Sequence, residues 1–373
     1  GNTTADITGD SNGNGRNGES RPFHETDPVP VDSNLLGTAV TSARPIFIRE
    51  ASQSDADEFR NDPEMQAEIE SAIITPLKVS NRVLGTVTIE KKREGETSLT
   101  DLDYTHMQTF ADYAALTIES IFTYEELIEQ RELRRDIQIA ADIQNDLLPR
   151  QLPNLKSFRI SAYSQAARGI SGDYYDAFSI EEGKVEVVIC DVVGKGVPAS
   201  LLMVMIRTII RLVGSPGRMP AQLLTFLNRG IKDRIGTDHF ATMSILHYDE
   251  KERAIVYSNA AHPPLLVYHS KKGEFVEIDT PGLPIGVEKE EKYQQKSLSL
   301  DRGDILLLFT DGVPEARGRD GREYGLHSIK EIVTRYAEKS PETIQKQIRN
   351  DLQRFVGGEE QHDDQTLIVM KVP

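Results

Sequence analysis

Large apolar side chains are nearly missing from residues 1–22, where Gly, Asn, Ser and Thr dominate. Such a segment buries too little surface to offset its ordering entropy and is expected to be mobile. From residue 23 the pattern becomes globular. LLGTAV (35–40) and PIFI (45–48) predict a helix start and a strand. SAIITPLKV and RVLGTVTIEKK are apolar runs joined at Ser80-Asn81, the pattern of a β-hairpin. After Ser98 and Thr100 the period lengthens to that of a helix, with Leu102, Met107, Phe110, Ala114 and Ile118 recurring near 3.6. No Gly or Pro interrupts the chain from Leu102 to Leu148, and Pro149 ends the run. Leu133, Ile137, Ala140, Gln144 and Leu147 step four and three residues apart, as in a coiled-coil seam. Two outcomes are open for this helix: packing on its own domain, or pairing with the same helix of a second chain. The second is the expectation for a linker over 123–149.

Beyond Pro153 the period returns to two. FRISAYSQAA, DYYDAFSIEE and KVEVVICDVVG predict consecutive strands, and VPASLLMVMIRTIIRLVG and MPAQLLTFLNRGIKDRIG predict two helices. Six short strand patterns follow, then the helices SIKEIVTRYA and ETIQKQIRNDLQRF, then a last strand, DQTLIVMKV. Hairpin-connected strands with helices in pairs predict an α+β fold of mainly antiparallel sheets covered by helices, over residues 150–373.

Charge narrows the partners. Asp and Glu number 59 against 43 Lys and Arg, a net charge of -16. That field repels phosphate backbones, so no nucleic acid is expected. A single cysteine, Cys190, excludes an internal disulfide framework and fits a reducing, cytoplasmic compartment. The most apolar segment, Leu201 to Val213, carries Arg207 and Arg211 and is short of the ~20 residues a bilayer requires. No signal peptide is visible, and a chain opening on Gly1 rather than Met is expected to be a fragment.

The common catalytic templates are missing: no H-E-x-x-H, C-x-x-C, G-x-S-x-G or P-loop occurs. Aspartates at strand ends stand out instead. Asp173 opens one strand, Asp191 and Asp311 close two apolar runs, and Asp363 and Asp364 precede the last strand. Each alone is an ordinary turn residue. Together at one sheet rim they would repel one another unless a cation neutralised them. An all-carboxylate set suits hard divalent cations, Mg²⁺ or Mn²⁺.

The second domain resembles the metal-dependent PPM protein phosphatases, in their SpoIIE/RsbU branch. The likeness rests on IQNDLLP (143–149), SGDYYDAF (171–178), DVVGKGVPASLLM (191–203), FATMSILHYD (240–249), NAAHPPLL (259–266), GLPIGV (282–287), GDILLLFTDGVPEA (303–316), EYG (323–325) and DDQTLIV (363–369), in order. It implies an α-β-β-α sandwich and two ions. Asp173 would ligate one ion, Asp191 would bridge both, and the backbone carbonyl of Val192 would join the first. Asp311 and Asp363 would hold the second, with Asp364 a weaker candidate. A metal-activated water would attack phosphorus in line, without a phosphoenzyme. The implied substrate is phosphoserine or phosphothreonine on an anti-sigma-factor antagonist protein. Two departures from the family pattern are Ser171 in a usual Gly-Gly-Asp and Ala261 in a usual Asn-Ala-Gly-His; Ala261 would be strained if that position needs positive φ.

Residues 23–122 resemble a GAF domain, an α/β/α sensor module, expected to be truncated at its start. ITPLKVSNRVLGTVTIEKK, SLTDLD and MQTFADYAALTIESI carry that likeness. It implies a small-molecule ligand of unknown identity or a dimer scaffold. Together the expectations describe a homodimeric phosphatase controlled through its GAF domain and linker helix. The alternative is a non-catalytic sensor and partner-binding module; a nucleotide phosphoesterase would share the metals.

Overall fold

A computed structural model describes residues 35–50, 69–92, 98–153, 155–167, 169–214, 217–232 and 239–373. The segment 1–22 lies outside the described residues. The chain divides into two compact units after Glu132.

The first unit contains α1 (Leu35–Ser42), β1 (Ile46–Ile48), β2 (Ile69–Val79), β3 (Arg82–Lys92) and the start of α2 (Asp101–Leu147). Its strands form an antiparallel sheet ordered β1-β2-β3. The predicted hairpin closes at Ser80-Asn81, with Val79 opposite Arg82 and Ser80 at φ 52. Ala72 and Ile74 pack with Ala39 of α1. Thr100 and Asp103 cap α2 reciprocally: the Asp103 N–H donates to Thr100 Oγ1 at 3.3 Å, and the Thr100 N–H donates to Asp103 Oδ2 at 2.8 Å. The helix then runs 47 residues without a break. Phe110, Tyr113, Leu116, Phe122, Tyr124 and Leu127 are exposed along it.

The second unit holds β4 (Arg159–Gln165), β5 (Tyr174–Glu181), β6 (Lys184–Val192), α3 (Val197–Val213), α4 (Pro220–Lys232), β7 (Ala241–Asp249), β8 (Ala254–Ala260), β9 (Leu265–His269), β10 (Glu274–Ile278), β11 (Lys296–Ser299), β12 (Ile305–Phe309), α5 (Gly325–Arg335), α6 (Pro341–Val356) and β13 (Gln365–Lys371). Two five-stranded antiparallel sheets result, ordered β10-β9-β12-β13-β4 and β11-β8-β7-β6-β5. Alternation along β6 explains the layering. Val185, Val187 and Ile189 meet Leu306, Leu308, Ile368 and Met370 between the sheets. Val188, Cys190 and Val192 face the other way, toward Met203 and Ile206 of α3 and Leu223 and Leu227 of α4. On the far side Leu307, Phe309 and Val369 pack on Ile329, Ile344 and Ile348 of α5 and α6. Each such side chain contributes about 1.5–3 kcal/mol of burial. The expected α-β-β-α sandwich is what these faces build.

The arginines that interrupt the apolar segment of α3 have structural partners. Arg207 Nε donates to the carbonyl of Leu147, at the end of α2, at 2.7 Å. Arg211 forms a two-pronged pair with fully buried Asp176 of β5, at 2.6 and 2.7 Å. Among the described residues no helix is long and apolar enough to cross a membrane.

The end of α2 is engaged by its own chain. Ala141 and Gln144 are buried within the second unit, and the Gln144 side chain exchanges two hydrogen bonds with the backbone of Ser171, at 2.7 and 2.8 Å. A glutamine at a seam position has a backbone partner in its own chain. Leu133 remains exposed.

Candidate metal centre

The side-chain rows that fill the gap between the two sheets end in polar groups at one end. On β6 the row Val185, Val187, Ile189 continues to Asp191. On β5, Ala177 and Tyr175 lead back to Asp173. Leu306 and Leu308 of β12 lead to Thr310, beside Asp311, and Met370 and Ile368 of β13 lead to Thr366 and Asp364. The alternation that makes the core thus also delivers the carboxylates.

Asp173 is 2% exposed. Its Oδ2 accepts from Thr310 Oγ1 at 2.9 Å and from Thr366 Oγ1 at 2.6 Å. Its Oδ1 is buried with no hydrogen-bond partner. Burial, then the charge of Asp191, holds this carboxyl well above the usual range. Asp191 is pushed up to about 7 by burial and by Asp311, Asp363 and Asp364, with Lys195 opposing the rise. Asp311 is raised by burial and by Asp363. Asp363 is about half exposed, and its Oδ2 lies 3.0 Å from Lys195 Nζ.

Asp364 does something else. Its Oδ1 accepts the N–H of Ala167 at 2.7 Å, and its Oδ2 accepts the N–H of Gly172 at 2.7 Å and the hydroxyl of Ser171 at 2.8 Å. It clamps the segment before β5 onto the start of β13. Two glycines let backbone approach here. A Cβ on Gly172 would lie 2.9 Å from the Val192 carbonyl oxygen, and one on Gly312 would lie 2.0 Å from the Asp364 carbonyl oxygen. Gly194 and Gly196, at φ 102 and 76, shape the turn that leads from Val192 into α3.

All the sequence-predicted carboxylates therefore meet at one end of the inter-sheet gap. Among the described residues, no three His, Cys, Asp or Glu side chains close round a common point as a ready ligand set. The donor set still fits a hard cation: it is all oxygen, its members raise one another's pKa, and Asp173 Oδ1 is buried without a partner. Asp173, Asp191, Asp311, Asp363 and the Val192 carbonyl are the groups that could hold such ions.

Sequence reasoning missed Thr310, Thr366 and Gln144. Extending the period-two rows of β12 and β13 by one step would have found both threonines. The Ser171 departure also has a partner: its hydroxyl donates to Asp364 and accepts the N–H of Asp173 at 3.0 Å. Ala261 does adopt positive φ, at 57. His262 is buried, its pKa lowered to about 3 by burial, with Nδ1 2.9 Å from Thr242 Oγ1. Cys190 is buried, and burial drives its thiol well up, which fits an inert role.

The family described as Stage II sporulation protein E (SpoIIE) matches residues 181–373. The chain belongs to the SpoIIE family. The match includes Asp191, Val192, Asp311, Asp363 and Asp364 and begins after Asp173. A GAF domain matches residues 7–119, starting inside the segment expected to be mobile. The chain is 32% identical over 242 residues to the phosphoserine phosphatase RsbU of Bacillus subtilis (strain 168), covering 65% of this chain and 71% of that protein. Two further relatives at 29% identity are longer proteins, of which the chain spans 41% and 45%. Among solved structures, the SiaA-PP2C domain of Pseudomonas aeruginosa matches at TM-score 0.58 and 22% identity, covering 66% of this chain and 99% of that one. The RsbU and RsbW domains of Rv1364c from Mycobacterium tuberculosis match at TM-score 0.50 and 25% identity, covering 60% and 62%. The SpoIIE-type unit is a serine/threonine phosphatase of PP2C fold, joined to a GAF domain. Its family is generally metal-dependent, and enzyme rather than non-catalytic module is the class these relatives support.

Proposed function

We propose that this chain removes phosphate from phosphoserine or phosphothreonine on a regulatory protein of the anti-sigma-factor antagonist class, using two Mn²⁺ or Mg²⁺ ions. Asp173 and the Val192 carbonyl hold one ion, Asp311 and Asp363 hold the other, and Asp191 serves both. When bound, such a pair neutralises phosphoryl charge and makes water a better nucleophile near neutral pH. The chain's own work is positional. Thr310 and Thr366 fix Asp173 through Oδ2 and leave Oδ1 free for an ion. Asp364 keeps its two oxygens on backbone and hydroxyl donors, so it acts as the clamp that sets Gly172 and Asp173 against the rest. The observation that carries the reading is the gathering of aspartates from four strand ends at one end of the gap between the sheets, one of them, Asp173, with a buried, unpartnered oxygen.

The regulatory half of the proposal is a homodimer through the GAF domain and α2, with a small molecule of unknown identity as signal. Exposed Phe110, Tyr113, Leu116 and Leu127 on α2 motivate it. A cytoplasmic location fits the single, buried thiol.

The test is hydrolysis of a phosphoserine peptide from such an antagonist by the full chain with Mn²⁺. Turnover that stops on chelation and returns with Mn²⁺ is expected. Turnover untouched by chelator sinks the metal reading. Activity confined to small nucleotides redirects the substrate to the phosphoesterase class.

A further inference from the structure

Lys195 lies on the glycine-flanked turn between Asp191 and α3. Its Nζ is 3.0 Å from Asp363 Oδ2 and also donates to the carbonyl of His362. The other oxygen of Asp363, Oδ1, accepts the N–H of Asp364 at 2.9 Å. Both oxygens of this carboxylate are therefore engaged within the chain. The same ammonium charge opposes the mutual repulsion felt at Asp191 and Asp311.

We propose that Lys195 is a tethered competitor of the divalent ion: it occupies Asp363 and thereby sets how tightly the ion of Asp311 and Asp363 is bound. This rests on the assignment of those carboxylates as metal ligands. A dication approaching Asp363 Oδ2 meets an ammonium already in contact with that oxygen, and two cations a few ångströms apart repel. One must leave. The lysine can, because its side chain is 39% exposed and its four-carbon stem reaches water. Among the described residues no such cation contacts Asp173, whose Oδ2 accepts from two neutral hydroxyls. The ion at Asp311 and Asp363 is then the weaker of the two, and the lysine is the reason.

The experiment titrates Mn²⁺ into the metal-stripped full chain by calorimetry at pH 7.5, for wild type, Lys195→Met and Lys195→Arg, with folding checked by circular dichroism. Lys195→Met should bind the weaker Mn²⁺ about five- to tenfold more tightly. Its metal-free form should melt at a lower temperature, because the acidic cluster has lost its counter-charge. Lys195→Arg should stay within about twofold of wild type, since the charge remains. Equal Mn²⁺ affinity in wild type and Lys195→Met overturns the proposal. Wild type binding no Mn²⁺ overturns the metal-centre assignment beneath it. Lys195→Gln carries the same expectation as Lys195→Met and decides the matter if the methionine variant does not fold.

Discussion

The buried polar groups of the two units differ in how like charges are grouped. In the first unit the polar residues buried whole among those described are Ser71 and Thr75, neutral hydroxyls on β2, and the charged atoms buried there, Glu70 Oε2 and Lys91 Nζ, are of opposite sign. In the second, Asp173 and Asp364 are buried at one end of the gap between the sheets, beside Asp191 and Asp311. Neutral hydroxyls can be absorbed by a fold for the cost of a hydrogen bond. Several like charges cannot, and a sequence that keeps them together is spending stability on chemistry. The contrast says where the reaction belongs, and it can be broken by experiment.

The largest expected effect is on turnover. Asp191 feels Asp311, Asp363 and Asp364 at once. On the proposed assignment, Asp191→Ala removes the carboxylate shared by both ions, and Mn²⁺-dependent hydrolysis of a phosphoserine peptide should fall on the order of a thousandfold. Ser71→Ala, in the first unit, should leave the same rate within about twofold. Equal losses in the two variants would erase the distinction between the units.

Next comes the pH dependence of stability without metal. Asp191 has its pKa raised from 3.8 to about 7. Between those values the folded chain holds a proton that the unfolded chain has released, so unfolding free energy falls as pH rises through the window and levels off above it. The drop is at most about 4 kcal/mol from this group. Urea titrations in chelator at pH 5.5 and 8 span the upper half of that window and should read up to about 2 kcal/mol of it. Saturating Mn²⁺ should remove most of the difference, because the ion supplies at high pH what the proton supplies at low pH. A metal-free chain more stable at pH 8 than at 5.5 would contradict the clustering.

How much of this was legible in the sequence follows from the same contrast. Period-two rows such as Val185, Val187, Ile189 predicted the layers of the second unit, and the aspartates at their ends predicted the site. What the alternation could not show was pairing between distant segments. Gln144 looked like a seam residue because its spacing from Leu133 and Ile137 is helical; its partner, the backbone of Ser171, is adjacent only after folding. Asp363 and Asp364 are neighbours in sequence, and only the hydrogen bonds of Asp364 to Ala167, Ser171 and Gly172 separate the clamp from the proposed ligand. Thr310 and Thr366 were in view but carried no charge to mark them. In the first unit the apolar pattern predicted α1, the hairpin and α2, and held no run of strand-end aspartates from which a ligand could be read.

Those threonines give a smaller effect. Thr366→Val removes the shorter of the two hydrogen bonds to Asp173 Oδ2 while keeping the side chain's shape. Groups that orient a metal ligand typically matter by about 10- to 100-fold in affinity. A Mn²⁺ titration of the variant should show that loss at the tighter ion. A loss confined to the weaker ion would move Asp173 to the other half of the site.

The smallest effects compare the units on equal terms, through one backbone state that occurs in both. Ala261, in the second unit, and Ser80, at the hairpin tip of the first, have φ of 57 and 52. An L-residue with a Cβ pays about 1–2 kcal/mol for the left-handed region, and glycine avoids that while costing more entropy from the unfolded chain. Ala261→Gly and Ser80→Gly should therefore each stabilise by about 0.5–1 kcal/mol, read as a shift in urea midpoint at unchanged slope. Their functional consequences should differ. Ala261 sits in the turn where the Asn259 side chain bonds both the N–H and the carbonyl of His262, at 2.9 and 2.8 Å, and His262 in turn meets Thr242 of β7, the residue that lies opposite Asp191 of β6. Loosening that turn with glycine acts on a strand that borders the acidic end, so Mn²⁺ affinity should shift by up to about threefold. Ser80→Gly has no such route through hydrogen-bonded strands, and Mn²⁺ affinity should not move. A change in metal affinity from Ser80→Gly would mean that the first unit reaches the site through the fold itself, and the division of labour drawn between the two units would have to be given up.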